Sequence, residues 1–237
     1  MKEGYWGAHH KVFDIGGTTR IALQRIHEGE HPLHSGEIGE ESNGNGSLMR
    51  IVPASIYFFK EDDEVLMEKM REVSGITHRH FRSVFSCFIF SKFISKLLVG
   101  LEKNRAYQEA IKDVNSFASK NSFSKGEVDL FNRILKGRLN SLDEKEVRSS
   151  GYVLHTLEAS LWCFLSTSSY SEAVLKAVNL GEDTDTTGCV TGALAGLYYG
   201  LNNIPTEWSK QLVRKGDVLT LAENFTNCIK NRILAKS

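Results

Sequence analysis

The chain has 237 residues, 41% of them hydrophobic, enough for one large domain with a substantial core or for two small ones. Lys+Arg and Asp+Glu each number 29, so composition offers no global attraction to nucleic acid or to an anionic membrane, and any charged ligand must be caught locally. The four cysteines, Cys87, Cys163, Cys189 and Cys228, are scattered without a C-x-x-C pair, which excludes a clustered thiol framework and suits reduced thiols in a cytoplasmic protein.

The amino terminus, MKEGYWGAHHKVFDIGG, has neither the apolar core of a signal peptide nor the length of an anchor, so no export is expected. From Met1 to Pro53 the sequence is rich in glycine and short polar residues, which predicts short helices joined by shaped loops. IVPASIYFF is the one strand-type run, and Pro53 counts against it as an interior strand. Beyond Pro53 the apolar residues fall three or four apart in DEVLMEKMREVSG, AYQEAIKDVNSFASK, EVDLFNRILKGRL, SGYVLHTLEASLWCFLST and SYSEAVLKAVNLG, which predicts helices. The most apolar stretch, Val84 to Gly100, is broken by Lys92 and Lys96 on one helical face and therefore reads as an amphipathic helix, with no membrane span. The segments KNSFSK at 120–125 and SLDEKEVRSS at 141–150 are hinges or surface connections, and neither marks a domain boundary. The expectation is an all-α protein forming a single domain over residues 1–237.

Residues 181–200 read GEDTDTTGCVTGALAGLYYG, a dense oxygen cluster leading into a glycine-lined helix. If the chain is extended up to Asp185 and helical after it, Asp183, Asp185 and a threonine hydroxyl point to one side, and hard oxygens of that kind suit Mg²⁺. Helix capping by Asp183, Thr184 or Asp185 is the alternative. A cap needs one such oxygen, however, and Glu182, Asp183 and Asp185 crowd three negative charges that repel unless a cation sits among them. Gly188, Gly192, Gly196 and Gly200 recur every four residues; interior glycines cost about 1 kcal/mol each relative to alanine, so their retention implies close approach by another backbone or a ligand. D-T-D-T-T also satisfies the D-x-D-x-T pattern of haloacid-dehalogenase-type phosphatases, but those aspartates belong at the end of a strand early in an α/β domain, and here a helical segment precedes them.

Three further stretches carry chemistry-bearing residues: FDIGGTTRIAL at 13–23 with Asp14, SNGNGSLMRIVP at 42–53, and SGITHRH at 74–80 with His78 and His80. Gly44 and Gly46 would let backbone amides approach a phosphate or sugar. Taken singly, each has an ordinary reading as a turn, a helix start or a cap.

Taken in order, F-D-I-G-x-T-T-R, G-N-G-S-L-M-R-I-x-P, S-x-I-T-H, G-x-D-T-D-T-T-G-x-x-x-G-A-L-A-G-x-Y-Y-G and I-P-x-x-W resemble the ADP-ribosylglycohydrolase family, from about Trp6 to about Trp208. The resemblance implies a compact all-α fold, a binuclear Mg²⁺ or Mn²⁺ centre, and cleavage of the glycosidic bond between ADP-ribose and a protein side chain or small acceptor. It makes Asp183, Asp185 and Thr186 metal ligands, gives Gly44, Asn45, Gly46 and Ser47 to the distal part of ADP-ribose, places His78 by the diphosphate, and sets Asp14 near the reacting ribose as the catalytic carboxylate. Partners are then ADP-ribose or an ADP-ribosylated substrate, with no nucleic acid and no membrane.

Two departures from the family pattern bear on activity. The family's Thr-Asp-Asp-Thr motif, several tens of residues upstream of F-D-I-G, supplies the other half of the metal shell, and this sequence opens after its expected place. Asp62 and Asp63 do not match it in context and read as a solvated helix terminus. The expectation is thus a domain N-terminally incomplete relative to the family, with weakened ion binding, impaired hydrolysis and an apolar groove open to self-association or to a partner; a catalytically inactive nucleotide-binding homologue is the alternative. Glu182 is the second departure, standing where the family usually has glycine.

Overall fold

The computed structural model describes Gly7, His9, His10, Val12 and residues 14–236, the side chains of 235 and 236 excepted. The chain divides into two compact units, one running from Gly16 to Asn203 and the other comprising the residues before Gly16 together with those from Ile204 on. Among the described residues there is no sheet. Two isolated bridges, Glu37 with His78 and Gly44 with Tyr152, are the extended pairings. The architecture is all-α, and no described helix is long and apolar enough to cross a membrane.

The larger unit is built around one buried helix. In chain order it contains α1 (Gly17–His27), α2 (Val52–Tyr57), α3 (Asp63–Gly75), α4 (Phe81–Leu98), α5 (Lys103–Lys120), α6 (Lys125–Asp129), α7 (Asn132–Leu135), α8 (Val153–Leu165), α9 (Tyr170–Asn179) and α10 (Thr184–Tyr199). Helices α2, α3, α5, α8 and α10 all pack on α4. Phe85, Phe88, Phe90 and Phe93 of α4 are almost wholly removed from water, and each such side chain contributes about 1.5–3 kcal/mol of burial. Phe85 meets Phe131 edge-on at 5.1 Å, and Phe93 meets Phe164 likewise at 5.8 Å, so α7 and α8 are keyed to the same helix.

Helix α4 corrects the amphipathic expectation, because its lysines do not mark a solvent face. Lys92 is buried, with Nζ 2.6 Å from Asp63 Oδ1 and 3.1 Å from Asp113 Oδ2, while Lys96 Nζ lies 2.7 Å from the same Asp113 oxygen. Burying an ammonium without a partner is prohibitive, so α3 and α5 each supply a carboxylate. The adjacent aspartates of KEDDEV thereby separate in role. Asp62 caps α3 by accepting from Val65 N at 2.8 Å, and Asp63 is the partner of Lys92.

IVPASIYFF is helical. Pro53 sits in the first turn of α2, where its missing N–H leaves no bond unmade. EVDLFNRILKGRL does not form one helix but breaks into α6, α7 and a 3₁₀ turn at Leu139–Ser141. Phe131 is driven into the core at the first break, and Gly137, with φ +72°, reverses the chain after the second.

The glycine face of α10 meets α9. A Cβ on Gly188 would lie 3.0 Å from Val178 Cγ1, and one on Gly192 would lie 3.4 Å from the Tyr170 hydroxyl. The absent side chains let these two helices approach, which satisfies the close contact the four-residue spacing demands. Gly200 lies beyond the helix, at φ +86°, and ends it.

The smaller unit contains α11 (Thr206–Gln211), which Pro205 opens, and α12 (Lys215–Lys236). Of the cysteines, Cys87 and Cys163 are buried and Cys189 and Cys228 exposed, all as free thiols.

Candidate functional site

The oxygen cluster is positioned by a turn that ordinary side chains resist. Gly181 has φ +85° and Glu182 has φ +54°, and together they swing the chain from α9 into α10. Segment 149–153 braces this turn: Ser149 Oγ donates to Gly181 O at 2.9 Å, and Asp183 N donates to Ser149 O at 3.1 Å. Asp183 therefore enters the N-cap position of α10 with its backbone already fixed.

At that position the capping alternative can be judged directly. Asp183 is the N-cap residue of α10, and its side chain is not spent on capping. Its Oδ2 accepts from Asn45 Nδ2 at 2.7 Å, across 138 residues of sequence. Burial alone would push the Asp183 carboxyl up; the Asn45 amide, the Thr186 hydroxyl, the neighbouring Asp185 carboxyl and the Thr186 backbone N–H outweigh it and hold the group below the ordinary carboxylate range. The Asp185 carboxyl lies close enough to that of Asp183 to influence its ionisation. Two carboxyl groups so placed cannot both be charged at ease without a shared proton or a cation between them.

The glycine loop is stitched to the same segment. Asn45 N donates to Gly151 O at 3.0 Å and Val153 N to Asn43 O at 2.9 Å, which makes the antiparallel bridge of Gly44 with Tyr152. Under the loop lies the ring of His78. A Cβ on Gly46 would stand 3.0 Å from His78 Cε1, so only glycine lets the backbone come this close. The His78 Nδ1 is 2.7 Å from Thr77 Oγ1, and burial, assisted by the nearby Arg50 charge, lowers its pKa to about 4. The imidazole is accordingly neutral near pH 7 and acts by hydrogen bonding and shape.

Of the residues singled out from sequence, the structure brings together Gly44, Asn45, Gly46 and His78 around the loop, and Asp183, Asp185 and Thr186 at the head of α10, with Asn45 joining the two sets. Ser47 is fully buried, its hydroxyl accepting from Cys87 Sγ at 3.7 Å. Asp14 is exposed and belongs to the smaller unit.

Sequence reasoning missed the supports. Arg50 donates through Nη1 to Gly46 O at 2.6 Å and through Nη2 to Val73 O at 3.0 Å, clamping the loop onto the end of α3. Its only signal was its place four residues after Gly46. Gly151, whose Cβ would stand 3.2 Å from Asp183 Oδ2, had no signal beyond being the second residue of a predicted helical run.

A divalent cation can be tested against these donors. The oxygens of Asp183, Asp185 and Thr186 are hard ligands of the type Mg²⁺ and Mn²⁺ take. Among the described residues no group of three His, Cys, Asp or Glu side chains is placed to hold a metal, so a cation on Asp183, Asp185 and the Thr186 hydroxyl would need further oxygens to complete its shell. Segment 148–155 also lines a cavity of about 480 Å³, with Arg133, Arg148, Tyr152, His155 and Glu158 in its wall.

A family model for ADP-ribosylglycohydrolase matches residues 1–234. The chain belongs to the ADP-ribosylglycohydrolase family. Among curated relatives, the ADP-ribosylarginine hydrolase Tri1 of Serratia proteamaculans is 32% identical over 227 residues, covering 94% of this chain and 57% of the relative. The ADP-ribosyl-[dinitrogen reductase] glycohydrolase of Rhodospirillum rubrum is 27% identical, covering 85% of this chain and 61% of the relative. This ADP-ribosylglycohydrolase-family chain thus spans little more than half the length of these curated relatives. A solved structure described as an ADP-ribosylglycohydrolase-related protein complex superposes with a TM-score of 0.71 at 30% identity, covering 89% of this chain and 68% of that one.

Proposed function

We propose that this chain takes part in hydrolysing the glycosidic bond between ADP-ribose and an arginine side chain of a modified protein. The observation that carries this reading is the pair of carboxyl groups at the head of α10, one of them tied to the glycine loop by Asn45. The arginine linkage is supported by the relatives from Serratia proteamaculans and Pseudomonas putida, both named as ADP-ribosylarginine hydrolases.

In this reading Asp183, Asp185 and Thr186 hold Mg²⁺ or Mn²⁺, which supplies Lewis acidity to orient the ribose hydroxyls and activate water. Gly44 and Gly46 expose backbone along which the nucleotide lies, and neutral His78 fixes the depth of that surface. Asn45 keeps Asp183 ionised and aimed. The test is release of ADP-ribose from an ADP-ribosylarginine protein by the purified chain with Mn²⁺ or Mg²⁺, its loss in EDTA, and its loss in Asp185→Asn. Soluble, folded protein that releases nothing at ample cation would reject it for this chain.

The partial donor set favours a second reading, a homologue that binds ADP-ribose without turning it over. Calorimetry separates the two: ADP-ribose would bind with no hydrolysis of modified protein, and absence of any adenine-nucleotide binding would count against it.

A further inference from the structure

The side chain that decides where Asp183 points lies one step behind Asn45. Asn45 Nδ2 carries two hydrogens, and both are used inside the protein, one on Asp183 Oδ2 at 2.7 Å and one on Thr156 Oγ1 at 2.8 Å. Thr156 is fully buried in the first turn of α8. Its hydroxyl donates to Ser150 O at 3.2 Å, which turns an oxygen lone pair toward Asn45. The carboxylate can only accept, so the orientation of the amide follows from chemistry: nitrogen must face both oxygens. With its donors committed in this way, the Asn45 amide has only its oxygen left to offer a ligand.

We infer that Thr156 is a positioning residue for the cation site, acting through Asn45 to hold Asp183 in the rotamer that receives the ion. The inference rests on the proposed cation reading of Asp183, Asp185 and Thr186. Physically, the three-atom relay is closed on all sides. Gly151 lets Asp183 Oδ2 lie close against the 149–153 segment, since a Cβ there would be 3.2 Å from it. Asn45 N is pinned to Gly151 O at 3.0 Å, so its side chain reaches Asp183 from a fixed root. What remains free is rotation of the Asn45 amide, and the Thr156 hydroxyl is the group that stops it. Without that acceptor, a buried N–H is left unmade, the amide turns to find another, and the bond to Asp183 loosens. Groups hydrogen-bonded to a metal ligand commonly change metal affinity 10- to 100-fold when altered; Asn45 is such a group, and Thr156, one bond further back, takes the low end of that range.

The experiment is Mn²⁺ titration by calorimetry of the wild-type chain, Thr156→Val and Thr156→Ser, with no substrate present. Valine keeps the shape and removes the acceptor, whereas serine keeps the hydroxyl. The expected result is a Mn²⁺ dissociation constant raised about 10-fold in Thr156→Val and restored to within about 2-fold in Thr156→Ser. Thermal melts without metal serve as the control, because a merely structural role would lower stability and leave the affinity of the folded fraction unchanged. Thr156→Ala, which cannot overpack, takes the place of valine should that variant not fold, and the same loss is expected of it. Wild type that binds Mn²⁺ while Thr156→Val and Thr156→Ala bind it equally well overturns the inference alone. Wild type that binds no Mn²⁺ overturns the cation reading and the inference with it.

Discussion

The Cβ that Gly46 lacks would stand 3.0 Å from Cε1 of His78, whereas the one Gly44 lacks would stand 3.5 Å from Nε2 of the same ring. The first is tighter than side chains ordinarily pack and the second is an ordinary contact. Because the His78 ring is buried and held at Nδ1 by Thr77, it cannot retreat. Gly46→Ala is expected to destabilise the fold by about 1–3 kcal/mol and to weaken ADP-ribose binding, while Gly44→Ala leaves stability within about 0.5 kcal/mol. Denaturant titration of the two variants decides it, and equal losses at both positions would show that the ring does not set the loop's depth.

His78 also makes stability depend on pH. Its pKa is about 4 in the folded protein against 6.5 for an ordinary histidine. Between those values the unfolded chain takes up a proton that the folded chain refuses, so stability is complete above pH 6.5 and falls as the pH drops toward 4, by about 3 kcal/mol in all. His155, also held below its ordinary value by burial, pulls in the same direction. The contribution of His78 is therefore read as a difference: His78→Gln should flatten the fall in denaturation free energy between pH 6.5 and 4.5 relative to wild type. An unchanged slope would mean that the ring is reachable by protons in the folded state.

Glu182 is a further point of strain. A φ of +54° costs an ordinary L-residue about 1–2 kcal/mol, and glycine or asparagine much less. Glu182→Gly is expected to stabilise the protein by about 0.5–1 kcal/mol net of glycine's greater freedom in the unfolded chain. Charge is separated from backbone by two companions: Glu182→Asn should stabilise as well, and Glu182→Ala, which removes the charge but keeps the Cβ, should not. Thermal melts of the three give the answer, and stabilisation by alanine equal to that by glycine would assign the effect to the carboxylate.

What the sequence made legible followed from local chemistry. The all-α class, α3, α5, α8 and α9 and the glycine approach of α10 were all readable from three- and four-residue spacing and from glycine's cost. The tertiary pairings were not. Lys92 looks like a surface lysine until Asp63 and Asp113 arrive from α3 and α5. The break at Phe131 is invisible because an apolar residue at helical spacing fits a continuous helix equally well; only the edge-on contact with Phe85 favours the kink. At the site, Asp183, Asp185 and the glycine loop stood out by composition, yet Arg50 and Thr156 act through bonds to groups 4 and 111 positions away, and no local pattern announces a partner across 111 residues.

The last prediction uses two glycines on one face of α10 whose substitution should have opposite signs. A Cβ on Gly196 would meet Tyr170 Cε2 at 3.8 Å, a comfortable contact, so Gly196→Ala gains helix propensity and should stabilise by up to about 1 kcal/mol. A Cβ on Gly188 would meet Val178 Cγ1 at 3.0 Å, so Gly188→Ala displaces the Val178 side chain or α9 by a few tenths of an ångström and should destabilise by about 1 kcal/mol despite the same propensity gain. Trimming the obstacle ought to reverse the sign: in a Val178→Ala background, Gly188→Ala should become stabilising. The double-mutant cycle on 178 and 188 then gives a coupling of about 1–2 kcal/mol. A coupling near zero would mean that the two helices separate without resistance, and the rigidity with which α10 presents Asp183, Asp185 and Thr186 would have to come from α4 and α8 instead.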